Sequence, residues 1–115
     1  MPIPSDRSGP IATRRVEGRP RVAVTRRLLA PVETRMAELF DATFNADDHA
    51  FSRAELAAAM ATSDVLVPTV TDRIDAALIE GAGERLKLIA NFGAGIEHID
   101  LAAARARKIM VTNTP

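Results

Sequence analysis

A chain of 115 residues, 47% hydrophobic and 26% charged, has room for one domain of ordinary globular composition. Its 15 basic residues balance 15 acidic ones, so no overall positive field exists to draw in nucleic acid or an anionic membrane, and no apolar run approaches the roughly 20 residues that span a bilayer. The absence of cysteine excludes disulfides, thiolate catalysis and cysteine-ligated zinc, and the absence of an apolar leader makes the cytoplasm the expected location.

Met1–Pro20 holds four prolines, two glycines and four arginines, and is expected to be a disordered N-terminal extension. From residue 21 the pattern alternates. Val22–Thr25 is a first strand. Pro31 to Asp41 is helical, with Val32, Met36, Leu39 and Phe40 near helical spacing and Pro31 at a first position. Ala42–Asn45 is a weaker second strand. Ser52-Arg-Ala-Glu55 is a capping box opening a helix through Leu56 and Met60. Asp64–Pro68 is a third strand, and Ile74–Glu80 a helix that stops near Gly81 and Gly83. Leu86–Ala90 is a fourth strand, Asp100 caps a helix to about Arg107, and Ile109–Thr112 is a fifth strand. Parallel strands need such crossovers, so the expected fold is α/β: a flavodoxin-like, doubly wound, parallel five-stranded sheet in the order 2-1-3-4-5. Ligands in such sheets sit beyond the carboxyl ends of the strands.

The loops at those ends carry the functional reading. Gly93-Ala94-Gly95 stands between a strand and a helix. A dinucleotide fingerprint would need a small residue where His98 stands and an acid near Asn113, so it fails twice. What remains is a backbone able to present bare N–H groups to a small anion, or a tight turn without a ligand. Glu97, His98 and Asp100 are sequence neighbours rather than convergent groups, which argues against a metal site, and Asp100 is better explained as a helix cap. Thr71 and Asp72 could line a pocket or cap the following helix; both readings stand. Arg26 and Arg27 could attract an anion or be solvated surface. A phospho-receiver module is excluded, because arginines and Pro68 occupy its acidic positions.

The run Asn91-Phe-Gly-Ala-Gly-Ile-Glu-His-Ile-Asp100, with Ala102-Ala103 and Val111-Thr-Asn-Thr-Pro115, resembles the D-isomer-specific 2-hydroxyacid dehydrogenases. It is most similar to their glyoxylate/hydroxypyruvate reductase and phosphoglycerate dehydrogenase branch. Val24–Arg27 and Asp72–Asp75 fit the same family. The resemblance implies that residues 21–115 form part of a substrate domain, without the nucleotide-binding domain of the two-domain enzymes. It implies that Ala94 and Gly95, flanked by Gly93, hold a substrate carboxylate on main-chain N–H groups. Thr69 and Val70 would form a wall, and Asn113 would stand where the exit strand meets substrate or hinge.

The resemblance also places the catalytic arginine, the histidine with its acid, and the cofactor motif later in a complete relative. On that reading this chain binds no cofactor alone and does not turn over. NAD(P), a small 2-keto or 2-hydroxy acid and a homodimer belong to the complete enzyme. Glu97 stands where the family usually has aspartate, and Lys108 where glycine is common. An alternative from another class is a stand-alone flavodoxin-like module that binds small anions or partners. A third is a chain that buries apolar surface in an oligomer.

Overall fold

The alternation of short apolar strands with helical segments builds a single five-stranded sheet. The computed structural model describes residues 19–114, so residues 1–18 of the extension expected over Met1–Pro20, and the exit at Pro115, lie outside the described residues. In chain order the elements are β1 (Arg21–Val24), α1 (Ala30–Leu39), β2 (Asp41–Thr43), α2 (Arg53–Thr62), β3 (Val65–Val67), α3 (Ala76–Glu80), β4 (Leu88–Asn91), α4 (Leu101–Ala106) and β5 (Met110–Asn113). All four strand pairings are parallel and the order is β2-β1-β3-β4-β5, as expected from the sequence.

Strand alternation divides the core into two layers. Ala23, Leu66 and Ile89 face the layer built by Leu56 and Met60 of α2, Leu78 and Ile79 of α3, and Ala104 of α4. Val22, Val24 and Val67 face the other way, onto Leu28 and the half-buried Val32 and Met36 of α1. Met60, Leu66, Ile74, Ile79 and Ile89 are fully enclosed. Each such side chain contributes at most about 1.5–3 kcal/mol.

The helix ends follow local chemistry. Ser52 and Glu55 form the reciprocal capping box that the sequence announces. Asp100 caps α4 through Ala103 N at 3.0 Å. The third helix departs from expectation. It starts at Ala76, and its cap is Asp75, which accepts from Leu78 N at 3.0 Å. Neither Thr71 nor Asp72 caps it. Ile74 instead makes a parallel bridge to Ile99, its N–H donating to His98 O at 2.9 Å and its carbonyl accepting from Asp100 N at 2.9 Å. The fourth strand begins two residues later than expected, because Leu86 N turns back to Gly83 O at 3.2 Å. Arg107 ties α4 to the end of α3, donating to the carbonyls of Ile79 at 2.9 Å, Glu80 at 2.8 Å and Ala82 at 3.1 Å. A cation belongs there, since the last carbonyls of a helix lack internal partners.

Helix α4 ends in a Schellman motif. Ile109 N donates to Ala104 O at 2.8 Å and Lys108 N to Arg105 O at 3.0 Å. The motif requires a left-handed residue, and Lys108 takes φ 59°. A Cβ in that region costs roughly 1 kcal/mol, which the longer side chain does nothing to offset. Lys108→Gly is therefore expected to stabilise the chain by about 0.5–1 kcal/mol, read as a rise of a few degrees in the thermal midpoint.

Candidate anion site at the carboxyl end of the fourth strand

Where β4 ends, Asn91 is 1% exposed, and a buried carboxamide must find partners for both its ends. Its Nδ2 donates to Gly95 O at 2.8 Å and Gly93 O at 3.2 Å. Two acceptors on one side identify that atom as the nitrogen, so Oδ1 faces His98 Nε2 at 2.8 Å and the imidazole must be the donor there. In the β4–β5 register Asn91 stands opposite Asn113, whose Nδ2 donates to Ala94 O at 2.7 Å. Thr114 completes the frame: its N–H donates to Gly93 O at 3.1 Å and its Oγ1 accepts from Gly93 N at 2.9 Å.

Every carbonyl from Gly93 to Gly95 is thus drawn back onto the protein. All peptide bonds described are trans, and in a trans peptide the carbonyl and the following N–H point in opposite directions. The N–H groups of Ala94, Gly95 and Ile96 are turned away from their carbonyls' anchors. Among the described residues these three N–H groups have no protein acceptor. Ala94 is exposed, and Gly95 and Ile96 are half-buried. Gly93 contributes differently, since its N–H is already engaged by Thr114. It takes φ 142°, which side chains rarely adopt. At Gly95 an added Cβ would stand 2.9 Å from Glu97 Oε1, so the Glu97 carboxylate lies over that glycine on a flexible stem.

The loop after β3 forms the neighbouring surface. Thr25 is fully buried and donates through Oγ1 to Asp72 Oδ2, an atom that also accepts from Thr69 N at 2.9 Å. Asp72, 3% exposed, is therefore an internal tie, which settles its two open readings in favour of neither. This tie fixes Thr69 and leaves Val70 59% exposed. A Cβ on Gly93 would stand 3.8 Å from Val70 Cγ1, so the wall and the glycine loop are adjacent. Thr69 Oγ1 is 2.9 Å from Thr71 Oγ1, and Thr71 Oγ1 accepts from Arg26 Nη1 at 3.0 Å.

Arg26 is not a loose surface cation. Its Nε donates to Asp48 Oδ1 at 2.9 Å and its Nη2 to Asp48 Oδ2 at 3.3 Å, while Arg27 N donates to Asp48 Oδ1 at 2.7 Å. The hydrogen bond from Arg26, then that from Arg27 N, holds the Asp48 carboxyl down at about 2. Sequence reasoning weighed Asp72 as a pocket or cap residue and gave Asn91 and Asp48 no site-forming role. No local pattern marks them, because each acts on partners that the topology brings near.

A nicotinamide dinucleotide does not fit the glycine loop. Its pyrophosphate would need a helix N-terminus directly after the glycines, whereas α4 begins at Leu101, six residues beyond Gly95. The described residues also contain no group of three or more His, Cys, Asp or Glu side chains able to hold a metal ion. No helix among them is long and apolar enough to cross a membrane.

A doubly wound α/β domain with a glycine loop at the carboxyl end of its fourth strand is the class that this geometry defines. Residues 22–115 match the family model for the D-isomer specific 2-hydroxyacid dehydrogenase catalytic domain, and the chain belongs to that family. A glyoxylate reductase from Thermococcus onnurineus is 33% identical over 97 residues, covering 84% of this chain and 29% of the relative. A solved protein from Polaromonas sp. JS6 66, assigned to the D-isomer specific 2-hydroxyacid dehydrogenases, superposes with a TM-score of 0.79 at 32% identity. That match covers 84% of this chain and 30% of the other. An NADPH-dependent glyoxylate/hydroxypyruvate reductase from Sinorhizobium meliloti, solved with NADP and malonate, gives a TM-score of 0.65 at 28% identity, covering 85% of this chain and 29% of that protein. The chain spans less than a third of the length of these relatives.

The two histidines are perturbed in opposite directions. Burial lowers His98, against the opposing pull of Asp72 and Glu97. Hydrogen bonds to Asp47 at 2.6 Å and Glu55 at 2.8 Å raise the exposed His49. A lowered folded value means that His98 costs stability as pH falls through the ordinary histidine range. His49 does the reverse: its contribution is complete below its unfolded value and is lost as pH rises through the folded one. Titration of the imidazole proton resonances is expected to give a midpoint below about 6.5 for His98 and above it for His49.

Proposed function

We propose that this chain supplies the carboxylate grip of a D-2-hydroxyacid dehydrogenase acting on a small 2-keto or 2-hydroxy acid. The observation that carries the reading is the run of three free N–H groups, Ala94 to Ile96, in a loop whose carbonyls are all anchored. Backbone N–H groups in succession form a concave partial positive charge suited to a carboxylate. Gly93 lets the backbone turn there, and Val70 with Thr69 closes one side. The names of the relatives support a glyoxylate-like acid, and the malonate recorded with the Sinorhizobium protein supports recognition of carboxylates. Asn113 serves the site by holding Ala94 O, which turns Gly95 N–H outward.

In a complete relative a nicotinamide accepts or supplies the hydride. Residues 19–114 do the anchoring: they fix one end of the acid so that its reacting carbon is held in one orientation. Orientation alone accelerates nothing without a hydride donor and a proton donor. His98 is no substitute, since its Nε2 proton is engaged by Asn91 and burial disfavours its charged form.

Two outcomes follow for the 115-residue polypeptide. Addition of glyoxylate to the 15N-labelled chain is expected to move the amide resonances of Ala94, Gly95 and Ile96 more than those of the rest; shifts confined to surface arginines would refute the grip. Mixed with NADH and glyoxylate, the polypeptide is expected to oxidise no cofactor above the buffer rate, and measurable loss of NADH absorbance would overturn that part.

A further inference from the structure

The Asn91 carboxamide lies on the carbonyl side of the glycine loop, opposite its free N–H groups, and the His98 imidazole stands against its Oδ1. Asn91 is enclosed, and both of its ends have partners. Its Nδ2 pulls on Gly93 O and Gly95 O, the two carbonyls whose peptide units carry Ala94 N–H and Ile96 N–H. Ile96 N–H is thereby directed by Asn91 alone, and Ala94 N–H by Asn91 together with Thr114 N–H, which also donates to Gly93 O at 3.1 Å.

That side chain has two ways round. A half-turn of its terminal amide would bring Oδ1 against two carbonyl oxygens and Nδ2 against His98 Nε2. The proton on His98 Nε2 makes the second contact a clash of donors. His98 is itself fixed, because its carbonyl accepts from Ile74 N at 2.9 Å in the bridge that joins Ile74 to Ile99. Ile74 and Ile99 are 0% and 4% exposed, so the chain of constraints runs from the packed layer through His98 and Asn91 to the loop.

We propose that Asn91 and His98 act as paired positioning residues of the carboxylate grip: His98 locks the amide of Asn91 in one orientation, and Asn91 holds Ala94 N–H and Ile96 N–H outward. This rests on the grip proposed above. It assigns His98 a donor's role at Nε2 that needs no proton transfer. Glutamine, which keeps a neutral N–H₂ donor, should replace it, whereas leucine of similar bulk should not. Asn91→Asp keeps the shape and the acceptor but removes both donors to the loop.

The test is titration of the 15N-labelled chain with sodium glyoxylate, followed at Ala94, Gly95 and Ile96. His98→Gln is expected to bind within about twofold of the unaltered chain, while His98→Leu and Asn91→Asp weaken binding by about tenfold, the equilibrium equivalent of one buried hydrogen bond lost. The ring nitrogens give an independent signature: neutral His98 should be in the Nε2–H form, and should become a mixture of tautomers in Asn91→Leu. Either His98→Leu or Asn91→Asp, with native spectral dispersion and unchanged affinity, overturns the proposal. Equal weakening by His98→Gln and His98→Leu overturns the donor role. An unaltered chain whose three amides do not respond overturns the grip itself and this proposal with it, an outcome distinct from tight binding that the variants leave untouched.

Discussion

A trans peptide cannot turn its carbonyl and the next N–H to the same side, and the candidate site depends on that constraint. Three consecutive carbonyls, of Gly93, Ala94 and Gly95, are drawn inward by two asparagine side chains. Three consecutive N–H groups are thereby freed from internal partners. The two asparagines can divide the work because Asn91 and Asn113 are register partners on β4 and β5 and project from the same face of the sheet. A slip of one residue in that pairing would carry Asn113 to the opposite face and release Ala94 O. Strand register, usually an argument about the core, here sets the direction of a loop's hydrogen-bond donors.

The frame behind the loop is unequal in strength. On one face α2, α3 and α4 enclose Met60, Leu66, Ile74, Ile79 and Ile89 completely. On the other, α1 buries no residue fully and covers the sheet with half-buried Val32 and Met36. The glycine loop is tied to the denser face, through Ile99 and through the Ile74–Ile99 bridge that carries His98. Held on rigid supports, a site can keep its geometry to a fraction of an ångström, which a loop tied only to the looser face would not.

Much of this was legible in the sequence, for local reasons. Strand order followed from the alternation of short strands with crossovers, and α2 and α4 declared their starts through Ser52 with Glu55 and through Asp100. At Lys108 the sequence shows only a departure from a family pattern that favours glycine, and the left-handed φ of 59° supplies the physical reason for that preference. What was not legible depends on pairs distant in sequence. Asp72 looked like a cap or a pocket residue, and only the fold shows that Thr25, 47 residues earlier, donates to it. Asp75 takes the cap because the Ile74–Ile99 bridge keeps the chain extended two residues beyond the expected helix start at Ile74. Asn91 read as the end of a strand. Its role emerges from a loop path that no periodicity encodes.

The electrostatics of the loop suit the proposed carboxylate grip, as one that would orient more than it attracts. Arg26 stands at a neighbouring strand end, but its guanidinium is tied to Asp48 and to Thr71. Burial disfavours the charged form of His98, and Glu97 places a carboxylate beside Gly95. Attraction for an acid therefore falls to main-chain dipoles, which act at short range and only along the N–H direction. Such a site holds a free carboxylate weakly, yet it fixes the direction in which the rest of the acid projects. For an oxidoreductase this division is useful. Uniformly tight binding of substrate lowers the ground state without lowering the barrier, whereas orientation toward groups on another domain is realised only when those groups close on the acid. A fixed cation at the proposed grip would hold the acid's ground and transition states alike, tightening the hold without lowering the barrier.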